Sequence, residues 1–184
     1  MAYTESTMLA LGSKAPDFTL PAPALGIVLS LSECKGTQGT VVIFMCNHCP
    51  YVIHVIDQLV TLAAQYQPQG IGFVGINSNN VEKYPDDSPE NMILFTQQHN
   101  IDFPYLYDES QLVALAYDAA CTPDFYLFDN EGYLVYRGQF DASRPSNGKE
   151  VTGADLKNAI DHLLRGEEIS QIQYPGGGCN IKWK

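Results

Sequence analysis

Residues 44–52 read Phe44-Met45-Cys46-Asn47-His48-Cys49-Pro50-Tyr51-Val52. The run before them, Thr40 to Met45, is continuously apolar and rich in β-branched residues, the pattern of a strand buried on both faces. The run after them changes period. Val52, Ile56, Leu59, Ala63 and Tyr66 recur at three- and four-residue spacing, which places one apolar stripe along a helix. Pro50 suits the first helical position, where its missing N–H has no partner to lose. The segment is therefore a strand–turn–helix junction with a Cys-x-x-Cys in the turn.

Working outward, Gly70 closes the helix and Ile71 to Asn77 is a second buried strand. Ser88-Pro89-Glu90 marks a helix start with Ser88 as its N-cap, running to about His99. Phe103 to Tyr107 is a short extended piece. Asp108 then caps a helix in which Leu112, Leu115 and Ala116 share a face. Phe125–Asp129 and Tyr133–Arg137 form a hairpin through Asn130-Glu131-Gly132. Leu156, Ile160, Leu163 and Leu164 mark a final helix. Toward the N-terminus, Phe18–Leu20 and Ile27–Leu31 pair as a hairpin. Residues 1–17 read as a polar extension over the surface and residues 167–184 as a C-terminal tail. The order predicts one α/β domain over residues 1–184, with parallel crossovers first and an antiparallel hairpin last.

The chain has 184 residues, 21 acidic and 10 basic side chains and a formal charge of −11. An acidic balance argues against nucleic acid and anionic membranes as partners. No apolar run reaches membrane-spanning length. The opening residues lack the basic-then-apolar pattern of a secretory signal, so a cytoplasmic location is expected. Five cysteines, an odd number, read as thiols or redox groups rather than as a disulfide framework.

Cys49 is the best nucleophile. A thiol at a helix N-terminus meets unpaired N–H donors and the positive end of the helix dipole, and both favour thiolate. A protonated His48 would add to this. A Cys46–Cys49 disulfide needs Cα atoms about 4.4–6.8 Å apart, so the chain must turn at Asn47-His48. Cys121-Thr122-Pro123 precedes the C-terminal hairpin, where an X-Pro bond is permitted and a cis bond would be a deliberate feature. Cys179 follows Gly176-Gly177-Gly178, which reads as a hinge able to deliver a thiol. As partners for Cys49 the order is Cys46, then Cys121, then Cys179; Cys34 is incidental. Asn77 and Asn79 sit at the carboxyl end of a strand, where open α/β sheets bind ligands. The acidic loop Glu82–Glu90 reads as solvated surface; folded over the site, it would oppose a Cys49 thiolate. The cysteine spacing matches no two-pair zinc pattern, and neither metal nor cofactor is expected.

The chain resembles the thioredoxin-fold redoxins, in particular the peroxiredoxin-like branch of the alkyl hydroperoxide reductase/thiol-specific antioxidant superfamily. The matching pieces are Gly12-Ser-Lys-Ala-Pro-Asp-Phe-Thr-Leu-Pro21, Lys35-Gly36, Cys46-Asn-His-Cys-Pro-Tyr-Val52, Cys121-Thr-Pro-Asp-Phe125 and Gly178-Cys-Asn-Ile-Lys-Trp183. The resemblance implies a thioredoxin-like fold, a central mixed sheet flanked by helices with an N-terminal β-hairpin extension. It also implies a cis-Pro123 loop facing Cys49, with Thr122 and Pro50 lining the substrate cleft.

The chain departs from both patterns in the group. Against thioredoxin's F-W-A-x-W-C-G-P-C, Cys49 takes the attacking position, Val52 the resolving one, and Ile43 the place of the buried aspartate. Against a peroxiredoxin's Thr-x-x-Cys, Cys46 replaces the threonine, and no arginine lies between Lys83 and Arg137. Without those donors a peroxide O–O bond is not polarised. The reading is a thiol–disulfide oxidoreductase acting on protein or small-molecule disulfides and regenerated by a thiol reductant. A thiol peroxidase acting on hydroperoxides is the first alternative and a non-enzymatic redox sensor the second.

Overall fold

The computed structural model describes residues 2–184. The elements, in chain order, are β1 Tyr3–Glu5, β2 Thr19–Ala22, β3 Ile27–Ser30, α1 Leu31–Cys34, β4 Gly39–Phe44, α2 Pro50–Tyr66, β5 Ile71–Asn77, α3 Pro89–Gln98, β6 Tyr105–Tyr107, α4 Leu112–Ala116, β7 Cys121–Thr122, β8 Asp124–Asp129, β9 Leu134–Gly138, α5 Ala154–Arg165 and β10 Gly177–Asn180. The central sheet has strand order β6-β5-β4-β8-β9. Strands β4, β5 and β6 are parallel, β8 pairs antiparallel with β4, and β9 pairs antiparallel with β8.

The two-residue period of β4 explains the layers. Val41 and Ile43 point into one core with α2 and α5; Val42 and Phe44 point into the other, with the β2–β3 hairpin, α1 and α4. Strand β5 divides the same way, Ile71 and Phe73 against Val74 and Ile76. All six residues of β4 are buried, as expected for a strand covered on both faces. The α2 stripe of Val52, Ile56, Leu59, Ala63 and Tyr66 is buried as read. Each fully buried side chain of Leu or Ile size contributes roughly 1.5–3 kcal/mol of transfer free energy, so this face anchors the helix whose first turn carries the site. Gly70 ends the segment with φ 92°, a conformation open to glycine.

Two expectations change. Leu112 and Leu115 are 65% and 60% exposed, and Ala114 is the buried residue of α4. The helix begins after Gln111 at φ 65°, and the Asp108 carboxylate accepts Ala114 N–H at 3.0 Å. That bond inside the first turn sets the helix phase and turns Ala114 inward.

The chain ends are also ordered differently. Residues 3–5 form a strand, and the glycine run is no hinge: β1 pairs antiparallel with β10, which pairs with β7. The absence of side chains makes this possible. A Cβ on Gly178 would lie 1.9 Å from the Thr122 carbonyl oxygen. A Cβ on Gly177 would meet only the far end of Tyr3, whose ring can swing. Gly178→Ala is therefore expected to destabilise the protein by about 1–3 kcal/mol, and Gly177→Ala by less. Urea unfolding of the two variants measures the order.

Candidate active site

Strand β4 is continued by Met45, whose N–H reaches the Ile76 carbonyl at 2.9 Å. The chain then turns through Cys46-Asn47-His48 and enters α2 with Cys49 as N-cap and Pro50 as first helical residue. Asn47 holds the turn. Its Nδ2 donates to the Asp86 carbonyl at 3.0 Å and its Oδ1 accepts from the Tyr105 hydroxyl at 2.9 Å. The turn sets Cys46 near Cys49, with Cys46 Sγ 3.5 Å from the Thr122 hydroxyl.

The Thr122–Pro123 bond is cis, and this loop faces Cys49. A Cys49 thiol donates to the Thr122 carbonyl at 3.3 Å. The thiolate instead meets the Cys46 thiol first, then the Thr122 hydroxyl, the Cys179 thiol and the Cys179 backbone N–H. Burial opposes ionisation, but these donors bring Cys49 down from 9.0 to about 5. Cys46 moves the other way, well above the ordinary thiol range. Its hydrogen bond to Cys49 is the main cause, with burial and Asp87 adding to it. One sulfur is thus prepared as nucleophile and its neighbour is held as thiol.

Cys179, ranked third from sequence, pairs with Thr122 across β10 and β7 and so lies close enough to Cys49 to influence it. Burial and the nearby Cys49 sulfur push it up to about 12. Cys121 is fully buried, with its thiol 3.9 Å from the Pro123 carbonyl, and burial raises it strongly. Cys34 is raised to about 11 by burial and lies in the opposite core.

Three other site residues take different positions from those expected. The His48 ring turns to Asp87, with Nδ1 2.7 Å from Oδ2, and stacks on Tyr84. Asn77 and Asn79 are buried and bonded within the protein rather than lining a cleft. Asn77 Nδ2 donates to the Asp87 carbonyl at 2.8 Å. Asn79 Nδ2 donates to Asp87 Oδ2 at 2.8 Å, and its Oδ1 accepts Lys182 N–H at 2.8 Å. Pro50 is exposed at the mouth of the site.

Asp87 is the functional candidate that sequence reading missed. It lies in the acidic loop read as solvated, yet it is 0% exposed. Its Oδ1 accepts the N–H groups of Asn47 and His48 at 2.9 and 3.3 Å. The available signal was the pair Asn77 and Asn79, short amide side chains placed to receive this loop. Donor atoms of Cys46, His48 and Asp87 lie within 4.8 Å of one another, a spacing that a metal ion could also use. Both Asp87 oxygens already accept N–H donors, and the two ring nitrogens of His48 are buried without a hydrogen-bond partner among the described residues.

The Cys46 contact is the largest influence on Cys49, so absorbance of the thiolate near 240 nm should titrate with a midpoint of about 5. Below that pH the nucleophile is protonated and alkylation by iodoacetamide slows. Cys46→Ala removes the contact and is expected to move the midpoint up toward the ordinary thiol value. An unmoved midpoint would show that Cys46 does not stabilise the thiolate.

Comparison with known proteins agrees with this arrangement. A solved structure of an uncharacterized conserved protein from Geobacillus kaustophilus is 53% identical, with a TM-score of 0.98, over 100% of this chain and 97% of its own. The thiol–disulfide oxidoreductase ResA of Geobacillus thermodenitrificans is 28% identical over 137 residues, 71% of this chain and 70% of the relative. A Mycobacterium tuberculosis protein named as a peroxiredoxin is 26% identical over 162 residues, 88% of this chain and 95% of the relative. The fold is thioredoxin-like, a mixed sheet flanked by helices. The Redoxin family model matches residues 10–156, and the chain belongs to the Redoxin family.

Proposed function

We propose that the protein is a thiol–disulfide oxidoreductase in which Cys49 attacks and Cys46 resolves. One observation carries the reading: two neighbouring thiols at the β4–α2 junction, Cys49 as N-cap of α2 and Cys46 before it, are polarised in opposite directions, Cys49 down to about 5 and Cys46 far up. At neutral pH the Cys49 thiolate attacks one sulfur of a substrate disulfide. The substrate S–S bond breaks, the departing sulfur leaves as thiolate, and a mixed disulfide forms on Cys49. Cys46 then displaces the second substrate sulfur and forms the Cys46–Cys49 bond. A thiol reductant restores the pair.

ResA supports a protein disulfide or thiol as partner. Peroxide chemistry is less favoured. The strongest influences on Cys49 are thiols, a hydroxyl and a backbone N–H, with no arginine among them. Arg137 is held by the Leu9 carbonyl and Gln173, and Arg144 by the Asp141 and Ser143 carbonyls and Gln139. A compartment that keeps thiols reduced suits an odd cysteine count.

The Cys49 residue is 0% exposed. Thr122 and Cys179 lie beside its sulfur, so attack on a substrate requires this cover to shift. Cys49→Ser should abolish reduction of insulin disulfides in a thiol-coupled assay. Cys46→Ser should retain the first step and accumulate a mixed disulfide, seen as an added mass on Cys49. Cys179→Ser should keep turnover within a few-fold. Retained turnover in Cys49→Ser, or a Cys49–Cys179 bond in the mildly oxidised native protein, would overturn these assignments.

A further inference from the structure

Asp87 reaches the Cys46–Cys49 turn from a loop 40 positions further along the chain, and it brings three kinds of donor atom together. Cys46 Sγ, a His48 ring nitrogen and an Asp87 carboxylate oxygen lie within 4.8 Å of one another. Cys46 and Asp87 are buried, and the His48 side chain is the outermost of the three. The imidazole is the group that protein contacts leave unsatisfied. Its Nδ1 stands 2.7 Å from Asp87 Oδ2, yet neither ring nitrogen has an aligned hydrogen-bond partner. Stacking on Tyr84 serves only the ring face. Among the described residues the one other side-chain polar atom buried without a partner is Thr96 Oγ1. Buried nitrogens without partners are costly, and here the shortfall falls where a thiol and a carboxylate converge.

The carboxylate retains capacity for one more bond on that side. Its two oxygens offer about four acceptor directions. Oδ1 accepts the Asn47 and His48 N–H groups, whereas Oδ2 accepts only the Asn79 amide. The Asn79 amide is fixed in turn by Lys182 N–H, and the Thr122 hydroxyl lies 3.5 Å from Cys46 Sγ. Supporting bonds of this kind orient the ligands of metal sites.

We propose that Cys46, His48 and Asp87 form a binding site for a divalent cation of the zinc class, and that the bound cation withholds Cys46 from the resolving step. Thiolate, imidazole and carboxylate together suit zinc, whereas calcium and magnesium take oxygen donors. Three protein ligands leave a fourth position to water. Cys46 binds as thiolate, its proton passes to the buffer as the cation enters, and no electron is transferred. The cysteine spacing carries no zinc pattern because only one ligand is a cysteine and Asp87 comes from a separate loop. Asp86 in that loop favours the approach of a cation, and the Lys182 ammonium, 5.5 Å over the Tyr84 ring, opposes it. The site itself does not depend on the catalytic reading; its effect on turnover rests on Cys46 being the resolving thiol.

The test uses the reduced full chain, freed of reductant, with zinc ion and a chromophoric zinc chelator as competitor. One zinc per chain is expected. His48→Phe, which keeps the stack on Tyr84, and Cys46→Ser should each weaken binding at least about tenfold, since loss of even a supporting partner costs that much. Cys34→Ser, in the opposite core, should bind as the native chain does. With cobalt(II) in place of zinc, the native chain should show a thiolate-to-metal charge-transfer band that Cys46→Ser lacks. No zinc uptake against the chelator would overturn the proposal. So would equal binding by the native chain and His48→Phe, because the Cys46–Cys49 pair alone would then be the ligand. If His48→Phe fails to fold, equal binding by Asp87→Asn does the same. The effect on turnover is read in a single turnover with hydroxyethyl disulfide. Zinc should make the native chain accumulate a mixed disulfide on Cys49, seen as added mass, and should leave His48→Phe unaffected. Zinc uptake with unhindered resolution would keep the site and remove both its effect and Cys46 as the resolving thiol.

Discussion

The coupling between the Cys46 and Cys49 thiols organises this protein. The Cys46 thiol favours the Cys49 thiolate, and the same interaction lowers Cys49 and raises Cys46. A hydrogen bond to a charged acceptor is stronger than a neutral one, but it is short-ranged and directional. It therefore imposes geometry on everything nearby. The three-residue step from Cys46 to Cys49 must fold back, and Asn47, Tyr105 and the Asp87 carboxylate hold it folded. The Thr122 and Cys179 donors must arrive from the far side, which requires β7 and β10 to pair. The β10 strand approaches β7 closely because Gly178 has no side chain.

The chain carries a charge of −11, an unfavourable background for a thiolate. The site answers with neutral donors. Two thiols, a hydroxyl and a backbone N–H face the sulfur, and α2 adds the positive end of its dipole. Neutral donors at contact distance act through low-dielectric protein, whereas scattered surface carboxylates act through screening solvent. The nearest buried carboxylate, Asp87, raises Cys46 instead, and so sharpens the difference between the two thiols.

The layers of the fold and the position of the nucleophile were legible because they are local. The apolar run into Cys46, the period change after Pro50 and the turn residues between them lie within one stretch of chain. The β2–β3 and β8–β9 hairpins carried turn signals of the same kind. What escaped reading is long-range. Asp87 sits in a run of acidic residues whose usual place is solvent, and only the amides of Asn77 and Asn79 and the turn at Asn47 make its burial tolerable. The triple glycine has the composition of a hinge, and its role as a strand depends on Tyr3, more than 170 positions away in sequence. Leu112 and Leu115 have helical spacing, but one side-chain bond from Asp108 chose the face.

The register of the two cysteines explains why the site needs an element outside the strand–turn–helix junction. A helix N-terminus offers its unpaired N–H groups over about one turn. With the attacking thiol as N-cap, any partner placed further along the helix shares that field and is eased toward ionisation with it. Here the second thiol precedes the first and lies at the end of β4, outside the helix. It gains nothing from the helix, and burial together with the Cys49 contact holds its proton tightly. That arrangement suits the first half of the reaction, in which Cys46 must stay a donor so that Cys49 remains a thiolate. It hinders the second half, when Cys46 must become a nucleophile. Attack on a substrate disulfide removes the difficulty only in part. Once Cys49 is in a mixed disulfide its negative charge is gone, and with it the main force retaining the Cys46 proton. Burial and the Asp87 charge still oppose a second anion there.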